Sequence, residues 1–185
     1  MTDTTRVKTG VVRLSYEHVW EPQSVNGGDP KYSASLIIPK TDSTTITAIK
    51  QAIAAAYEIG KSKFGPNPPA LERLKTPLRD GDVERPEDDA YANAFFINAN
   101  STTAPGIVDL ARKPITEKSE VYSGCYVRAM VGFYAFNRNG NRGVAAGLGN
   151  IQKVKDGEPL GGKTRAEDDF NDDYIGDTEG DDFLL

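Results

Sequence analysis

The sequence predicts a mainly β protein with one main helix, and three features support this prediction. The first is the segment from Gly124 to Val154, which has two runs of β-branched and aromatic residues on either side of a polar turn. The second is one stretch of helical periodicity near residue 50. The third is the order of the predicted elements, which lacks the regular strand–helix alternation of a parallel sheet.

The first predicted strand is Lys8–Tyr16, in which apolar and polar residues alternate. Alternation assigns three residues to its core face: Val12, Leu14 and Tyr16. Arg13 and Ser15 then lie on the outer face. Residues 17–30 contain Trp20 and a Gly- and Pro-containing turn, and they are predicted to form a loop.

A second strand is predicted at Lys31–Ile38, and Pro39 ends it. Asp42 or Ser43 can cap the helix that follows, since either side chain can accept hydrogen bonds from free backbone amides. Four residues at helical spacing give an apolar stripe over about residues 44–61: Ile46, Ile49, Ile53 and Tyr57. We expect this stripe to pack on the core, because no polar residue interrupts it.

Residues 67–89 are rich in proline and charge, lack periodicity and are predicted to form a long loop. A third strand at 93–101 and a short segment at 107–110 precede the long hairpin. Asn139 and Gly140 suit its turn, because both tolerate a positive φ. Two strands, a helix, a strand and a hairpin fit a five-stranded barrel of the OB type with long loops.

The first hairpin strand separates apolar side chains from aromatic and basic ones. Its core face is predicted to carry four apolar residues: Val127, Ala129, Val131 and Phe133. The opposite face carries Tyr126, Arg128 and Tyr134, with Met130 and Gly132 between them. Rings beside a guanidinium suit single-stranded nucleic acid, because bases stack on rings and phosphates pair with cations. An ordinary solvated sheet face is the alternative explanation.

Charge is distributed unevenly along the chain. Nine of the 27 acidic residues follow Arg165, where no basic residue occurs, so the first 165 residues carry 18 acidic and 22 basic residues. We therefore predict a mildly basic domain, residues 1–165, and an acidic C-terminal tail, residues 166–185, with too few apolar residues to fold. The tail is predicted to lie over the basic surface of the domain as a mimic of the phosphate backbone, and a purely solubilising tail is the alternative. Its end is predicted to bind partner proteins: Asp181, Asp182, Phe183, Leu184 and Leu185.

Cysteine and histidine content limits the chemistry. Cys125 and His18 are the only residues of their types, which excludes an internal disulfide and a Cys/His zinc site. A reducing, cytoplasmic setting is therefore expected, and the N-terminus lacks the apolar segment of a secretory signal. No apolar run approaches the about 20 residues of a membrane span, and no cofactor is expected.

Two other functions stay open. The acidic residues between Asp80 and Asp89 could bind Mg²⁺ in a nuclease or recombination enzyme, although such sites need carboxylates on rigid elements. Their position in a loop favours a solvated surface instead. A phage structural or adaptor protein is the other alternative. No catalytic pattern of serine and histidine is present, so a non-enzymatic function is favoured.

Four short motifs in order resemble a bacteriophage family of single-stranded-DNA-binding proteins with an OB fold: Thr103–Asp109, Tyr122–Val127, Asn139–Gly143 and Asp156–Leu160. The resemblance extends over about residues 5–170. It implies sequence-independent binding of single-stranded DNA in phage replication or recombination, inside the infected bacterial cell, without catalysis or a metal. The acidic tail is similar to those of bacterial and T7-like single-strand binders. Many of those end at an aromatic residue, whereas Leu184 and Leu185 follow Phe183 here.

We predict that bases stack on four rings: Trp20, Tyr32, Tyr126 and Tyr134. Five cations are predicted to contact phosphates: Arg13, Lys31, Arg128, Arg138 and Arg142. The last two flank the hairpin turn, where OB folds often hold a strand. Single-stranded DNA is the expected partner, with phage or host replication and recombination proteins on the tail. Homo-oligomerisation is compatible with the sequence.

Overall fold

A computed structural model describes residues 4–24 and 27–160 of the chain. The predicted acidic tail, with its terminal cluster Asp181–Leu185, lies outside the described residues and stays a prediction. The division into residues 1–165 and 166–185 likewise stays a prediction.

The described residues form eight strands, one long helix and several short helical turns. The strands are β1 (Arg6–Lys8), β2 (Val12–Gln23), β3 (Lys31–Pro39), β4 (Leu78–Asp80), β5 (Ala94–Ser101), β6 (Ile107–Val108), β7 (Tyr126–Arg138) and β8 (Asn141–Lys155). The helices are α1 (Ser43–Gly60) and the single turn α2 (Gly81–Glu84). Four 3₁₀ turns lie at Lys61–Phe64, Leu71–Arg73, Asp89–Tyr91 and Lys118–Glu120.

Five strands form a closed ring in the order β2, β3, β5, β8, β7 and back to β2. Every neighbouring pair in this ring is antiparallel except β5 and β8. That parallel pair and the β2–β7 pair are both short, so the ring is closed but is not a regular barrel. The prediction of a mainly β protein with one main helix and a five-stranded fold of the OB type is confirmed. Short strands β1, β4 and β6 pair with β7, β5 and β8 respectively.

Helix α1 covers one side of the ring. Asp42 caps it, with its carboxylate accepting the Thr45 amide at 3.1 Å. The predicted stripe is confirmed, since Ile46, Ile49 and Ile53 are buried in the main core. Burial of each such side chain contributes about 1.5–3 kcal/mol. None of the helices in the described ranges is long and apolar enough to span a bilayer.

Strand β2 departs from the prediction in two ways. It continues to Gln23, so Trp20 lies in a strand rather than in a loop. The pairing with β3 shifts register between Ser15 and His18, which is the mark of a β-bulge. The bulge breaks the simple alternation, and Tyr16 is therefore exposed instead of facing the core. A bulge of this kind has no clear signature in the local sequence.

A second, smaller apolar cluster lies on the outer face of β3 and β5. It consists of four buried residues: Ile37, Tyr91, Ala94 and Phe96. Tyr91 donates a hydrogen bond from its hydroxyl to Ser35 at 3.0 Å, so Ser35 is buried although it points out of the ring. Ser15 is buried on the same outer face. The region predicted as a loop, residues 67–89, is therefore partly ordered as β4 and α2, and the 3₁₀ turn that follows them supplies Tyr91.

The long hairpin follows the prediction closely. The apolar face of β7 is buried, and the turn places Asn139 at φ 49° and Gly140 at φ 87°. The stem is braced on both sides. On one side Val144 donates its amide to the Lys75 carbonyl at 2.8 Å, and on the other the Asn137 side-chain amide donates to the Lys63 carbonyl at 2.8 Å.

We predict that Gly143→Ala destabilises the fold, because a Cβ at this position would lie 2.2 Å from the Lys75 carbonyl oxygen. Such overpacking lowers the free energy of unfolding by about 1–3 kcal/mol. Gly132→Ala on the neighbouring strand is the matched control, since the nearest atom to its Cβ is 3.9 Å away. Urea denaturation measures both variants. Equal midpoints would mean that the contact with Lys75 does not constrain the hairpin.

Candidate nucleic-acid interface

The open part of the ring's outer surface lies on β3, β5 and β8. Ser33 of β3 pairs with Asn100 of β5, which in turn pairs with Gly147 of β8. The adjacent row contains Asn98, and both asparagines are exposed. These side chains form a floor of small and polar groups. The second and third strands of the ring carry the oligonucleotide-binding face of OB folds, and here they are β3 and β5.

Tyr134 stands beside this floor. Its side chain is 47% exposed, and it belongs to β7 opposite Ala145. The ring edge lies 3.8 Å from the position that a Cβ on Gly147 would take, so the ring leans over that glycine. A flat exposed ring is a platform on which a base can stack.

The hairpin tip, four residues beyond Tyr134 on β7, carries positive charge. Arg138 and Arg142 are exposed on either side of the turn. Neither forms an ion pair with a carboxylate within the described ranges. Lys75 reaches the same tip, where its ammonium donates to the Asn141 side chain at 3.1 Å. The tip therefore presents several cations to solvent.

Arg13 and Tyr126 lie at the opposite end of β7. Arg13 donates one hydrogen bond to the Gly124 carbonyl at 3.1 Å and another to the Glu158 carbonyl at 2.6 Å. Its guanidinium lies 5.6 Å from the centroid of the Tyr126 ring, and the Lys155 ammonium lies 4.9 Å from that centroid. Arg13 thus holds residues 156–160 against the ring of strands, and Tyr126, which lies beside Gly157, is only partly accessible.

Trp20 and Arg128 are also engaged within the protein. The Trp20 indole donates to the Val121 carbonyl at 2.9 Å and packs on the main core. Arg128 donates to the Thr9 carbonyl at 3.4 Å and is half-buried. Lys31 and Tyr32 begin β3 and are half-exposed.

The predicted residues therefore form separate groups along the protein. Tyr126 and Tyr134 are eight residues apart on one strand, which corresponds to about 26 Å of extended chain. Tyr134, Arg138 and Arg142 lie together at the hairpin end, whereas Arg13 lies near Tyr126 at the other end. Sequence alternation predicts the outward direction of these side chains. It does not predict which of them donate hydrogen bonds to the backbone.

Two residues near the open face were missed by the sequence prediction. Tyr16 is 55% exposed, and Arg85 lies 5.1 Å from the centroid of its ring. The β-bulge that exposes Tyr16 disrupts alternation, so the pattern assigned this residue to the core. Asn98 and Asn100 were also missed, although alternation within the third predicted strand places both on the same outward face.

Most of the acidic residues between Asp80 and Asp89 form ion pairs or hydrogen bonds within the fold. Lys40 lies 2.9 Å from the Asp80 carboxylate and 2.7 Å from that of Asp82. The hydrogen bond from Lys40, together with the Asn93 amide, holds the pKa of Asp82 below its usual value. Glu84 pairs with Arg79 at 2.9 Å. Within the described ranges, no three acidic, histidine or cysteine side chains are grouped to hold a metal ion.

The chain matches phage proteins over most of its length. Residues 5–184 match the family model described as "Enterobacter phage Enc34, ssDNA-binding protein". Putative protein p50 of Acyrthosiphon pisum secondary endosymbiont phage 1 is 34% identical over 179 residues, covering 90% of this chain and 93% of that protein.

Two solved structures are similar to this fold. The single-stranded DNA-binding protein from bacteriophage Enc34 in complex with ssDNA has a TM-score of 0.71 at 30% identity, covering 86% of this chain and 91% of that one. The single-stranded DNA-binding protein gp2.5 of bacteriophage T7 has a TM-score of 0.58 at 14% identity, covering 94% of each chain. At that identity the likeness to gp2.5 shows the fold alone.

Proposed function

This chain belongs to the Enterobacter phage Enc34 single-stranded-DNA-binding protein family, and we propose that it binds and protects single-stranded DNA in phage replication or recombination. The observation that carries the proposal is the open face of β3, β5 and β8, which lies beside an exposed ring and a basic hairpin tip. Stacking platforms next to cations are how single-stranded DNA is held without reading its sequence. The related Enc34 protein has a structure in complex with ssDNA.

Sequence independence follows from the chemistry of this face. Every base has a π-face that can stack on Tyr134, and phosphates are the same at every nucleotide. The floor of Ser33, Asn98 and Asn100 offers small polar groups rather than a pocket shaped for one base. Binding without catalysis, in the cytoplasm of the infected host cell, is the function that we assign to the chain. The paired acids around Asp82 offer no support for a nuclease.

We assign direct DNA contacts to the residues that are free to make them. Tyr134, Arg138 and Arg142 are exposed around the hairpin end of the open face. Lys31 has the outward parity of Ser33 on β3, whereas Tyr32 points to the other side of that strand at the rim of the ring. The other four predicted residues have partners within the protein, so we give them a supporting place at its edge: Arg13, Trp20, Tyr126 and Arg128.

The acidic tail adds a regulatory element to this proposal. Its nine acids are tethered to a domain with an excess of four basic residues, and no cation interrupts them. A tethered segment acts at high effective concentration, so weak attraction to the cations beside the open face competes with DNA. Its end, Asp181–Leu185, would then contact phage or host replication and recombination proteins.

The first binding prediction concerns Tyr134. Tyr134→Ala should weaken binding of a labelled oligodeoxynucleotide by about 1–3 kcal/mol, because one stacking platform is lost. Tyr126→Ala should weaken it less, since Arg13 and Lys155 already flank that ring. Leu110→Ala removes another exposed apolar side chain and is the control. Fluorescence anisotropy measures all four proteins. Wild-type protein that fails to bind, or that cleaves the DNA when Mg²⁺ is added, contradicts the proposed function.

The second binding prediction concerns the hairpin tip. Replacing Arg138 and Arg142 with Ala should make log affinity less steeply dependent on log salt by about 0.7 per lost phosphate contact. A double variant of Arg112 and Lys113 removes equal charge from the loop after β6 and should keep the wild-type slope. If the slope stays the same in the variant of Arg138 and Arg142, the hairpin tip does not contact the DNA.

The third prediction concerns the tail. Truncation after Arg165 should tighten binding of single-stranded DNA, and the gain should shrink as salt rises, because salt screens exposed charges. A full-length protein in which the nine acids become Asn and Gln should behave like the truncated form. If neither protein binds single-stranded DNA more tightly at low ionic strength, the tail does not compete with DNA for the open face.

A further inference from the structure

Tyr16 is exposed in a way that core packing does not explain. Among the aromatic side chains in the described ranges, only Tyr16 and Tyr134 are exposed. Tyr16 also has a φ of 45°, in the left-handed region that a residue with a bulky side chain rarely adopts. Such strained backbone persists only where surrounding contacts impose it, and it concentrates at functional sites.

The contacts that impose this conformation come from both sides of the residue. The bulge in β2 lies between Ser15 and His18, and the Glu17 amide donates to the Ser123 hydroxyl at 3.0 Å. Arg85 donates a hydrogen bond to the Tyr16 hydroxyl at 3.2 Å. The Tyr16 side chain is therefore fixed by specific contacts, although more than half of it is open to solvent.

Arg85 is itself held by the small apolar cluster outside the ring. Its guanidinium lies 5.2 Å from the Tyr91 ring centroid and 5.7 Å from that of Phe96, both of which are buried. It forms no ion pair with a carboxylate in the described part of the chain. The guanidinium thus links buried rings to the ring of Tyr16. This arrangement fixes the orientation of Tyr16 and leaves the solvent side of its ring open.

Tyr16 borders the open face on the side away from Tyr134. Ser15 pairs with Ser35, and His18 pairs with Ser33, so the bulge adjoins the rows that continue into Asn98 and Asn100. A cavity of about 160 Å³ lies next to Tyr16. Six residues line it: Ser15, Tyr16, Asp88, Ala90, Ser123 and Leu160. The floor is therefore bordered by one exposed ring on each side.

The charges around Tyr16 favour a base over a phosphate in the cleft beside its ring. The adjoining cleft is lined by Arg13 and Arg85 and by five acids: Glu84, Glu87, Asp88, Asp89 and Glu158. This excess of carboxylates disfavours a phosphate. A base carries no charge and can stack on the ring at this position.

We propose that Tyr16 is a second base-stacking platform and that Arg85 is the residue that positions it. The proposal rests on the proposed function, because it needs a DNA strand on the open face. A strand would cross the floor with one base on Tyr134 and a later base on Tyr16, while the phosphates next to Tyr134 meet the cations of the hairpin tip.

The test compares substitutions of Tyr16 by anisotropy with single-stranded DNA. Tyr16→Ala should weaken binding about 5- to 140-fold, the fold-change equivalent to one stacked base. Tyr16→Phe keeps the ring and its contact with the Arg85 guanidinium but loses the hydroxyl that accepts from Arg85, so it should weaken binding less than Tyr16→Ala. Tyr16→Gly should weaken binding without lowering the melting temperature, because glycine adopts a positive φ without strain. Leu110→Ala is the control for loss of an exposed side chain.

Arg85 is tested through its dependence on Tyr16. Arg85→Met should weaken binding when Tyr16 is present and should have no further effect in the Tyr16→Ala background, because a positioning residue acts through the residue it positions. A purely structural role would instead lower the melting temperature and weaken binding equally in both backgrounds.

Photocrosslinking examines the wild-type chain directly. DNA that contains 5-iododeoxyuridine should crosslink to Tyr16 as well as to Tyr134. If wild type binds DNA but Tyr16→Ala and Tyr16→Gly bind equally well, and no crosslink forms at Tyr16, the platform is excluded and the proposed function stands. If wild type does not bind single-stranded DNA, the proposed function fails first.

Discussion

Closure between β2 and β7 is the constraint on which the rest of the structure depends. The pairing spans only two residue pairs, with Val12 and Arg13 facing β7. Backbone bonds beside it extend the closure, since Leu14 donates its amide to the Cys125 carbonyl and accepts the Gly124 amide at 2.7 Å. Arg13 strengthens the same joint through its side chain. Without this joint the ring would open at one of its two short pairings, and the main core would be exposed on that side.

The outer surface of the ring is divided into a covered half and an open half. The small apolar cluster around Tyr91 covers the part of β3 and β5 that contains Ile37 and Phe96, and Arg85 lies over the rings of Tyr91 and Phe96. The part of β5 that carries Asn98 and Asn100 is exposed, and no apolar cluster of the described residues covers it. Tyr91 and Arg85 belong to the segment between α1 and β5. This segment therefore determines how much of the sheet remains available to a ligand.

Much of this fold follows from local pattern, whereas the details of the site depend on distant contacts. The hairpin, the helix and the second and third predicted strands were predicted because alternation, spacing and capping are properties of neighbouring residues. The bulge at Tyr16 depends on pairing with β3 and on Ser123, neither of which a local window contains. The same limit explains Arg13, whose partners Gly124 and Glu158 are remote in sequence. The sequence predicts which of these side chains point outward, but it does not predict which of them form hydrogen bonds within the protein.

The short seam between β2 and β7 also determines the order in which the protein can assemble. Arg13 and Gly124 are separated by 111 residues, so the seam cannot form until most of the chain has been synthesised. Strands β2 and β3 are neighbours in sequence and can pair early, whereas the parallel contact of β5 with β8 must wait for the last strand. Contacts between residues so remote slow folding, because the entropy of closing a long loop is lost before the contact forms. A nascent chain on the ribosome therefore has no complete binding face, and competence for DNA appears only near the end of translation.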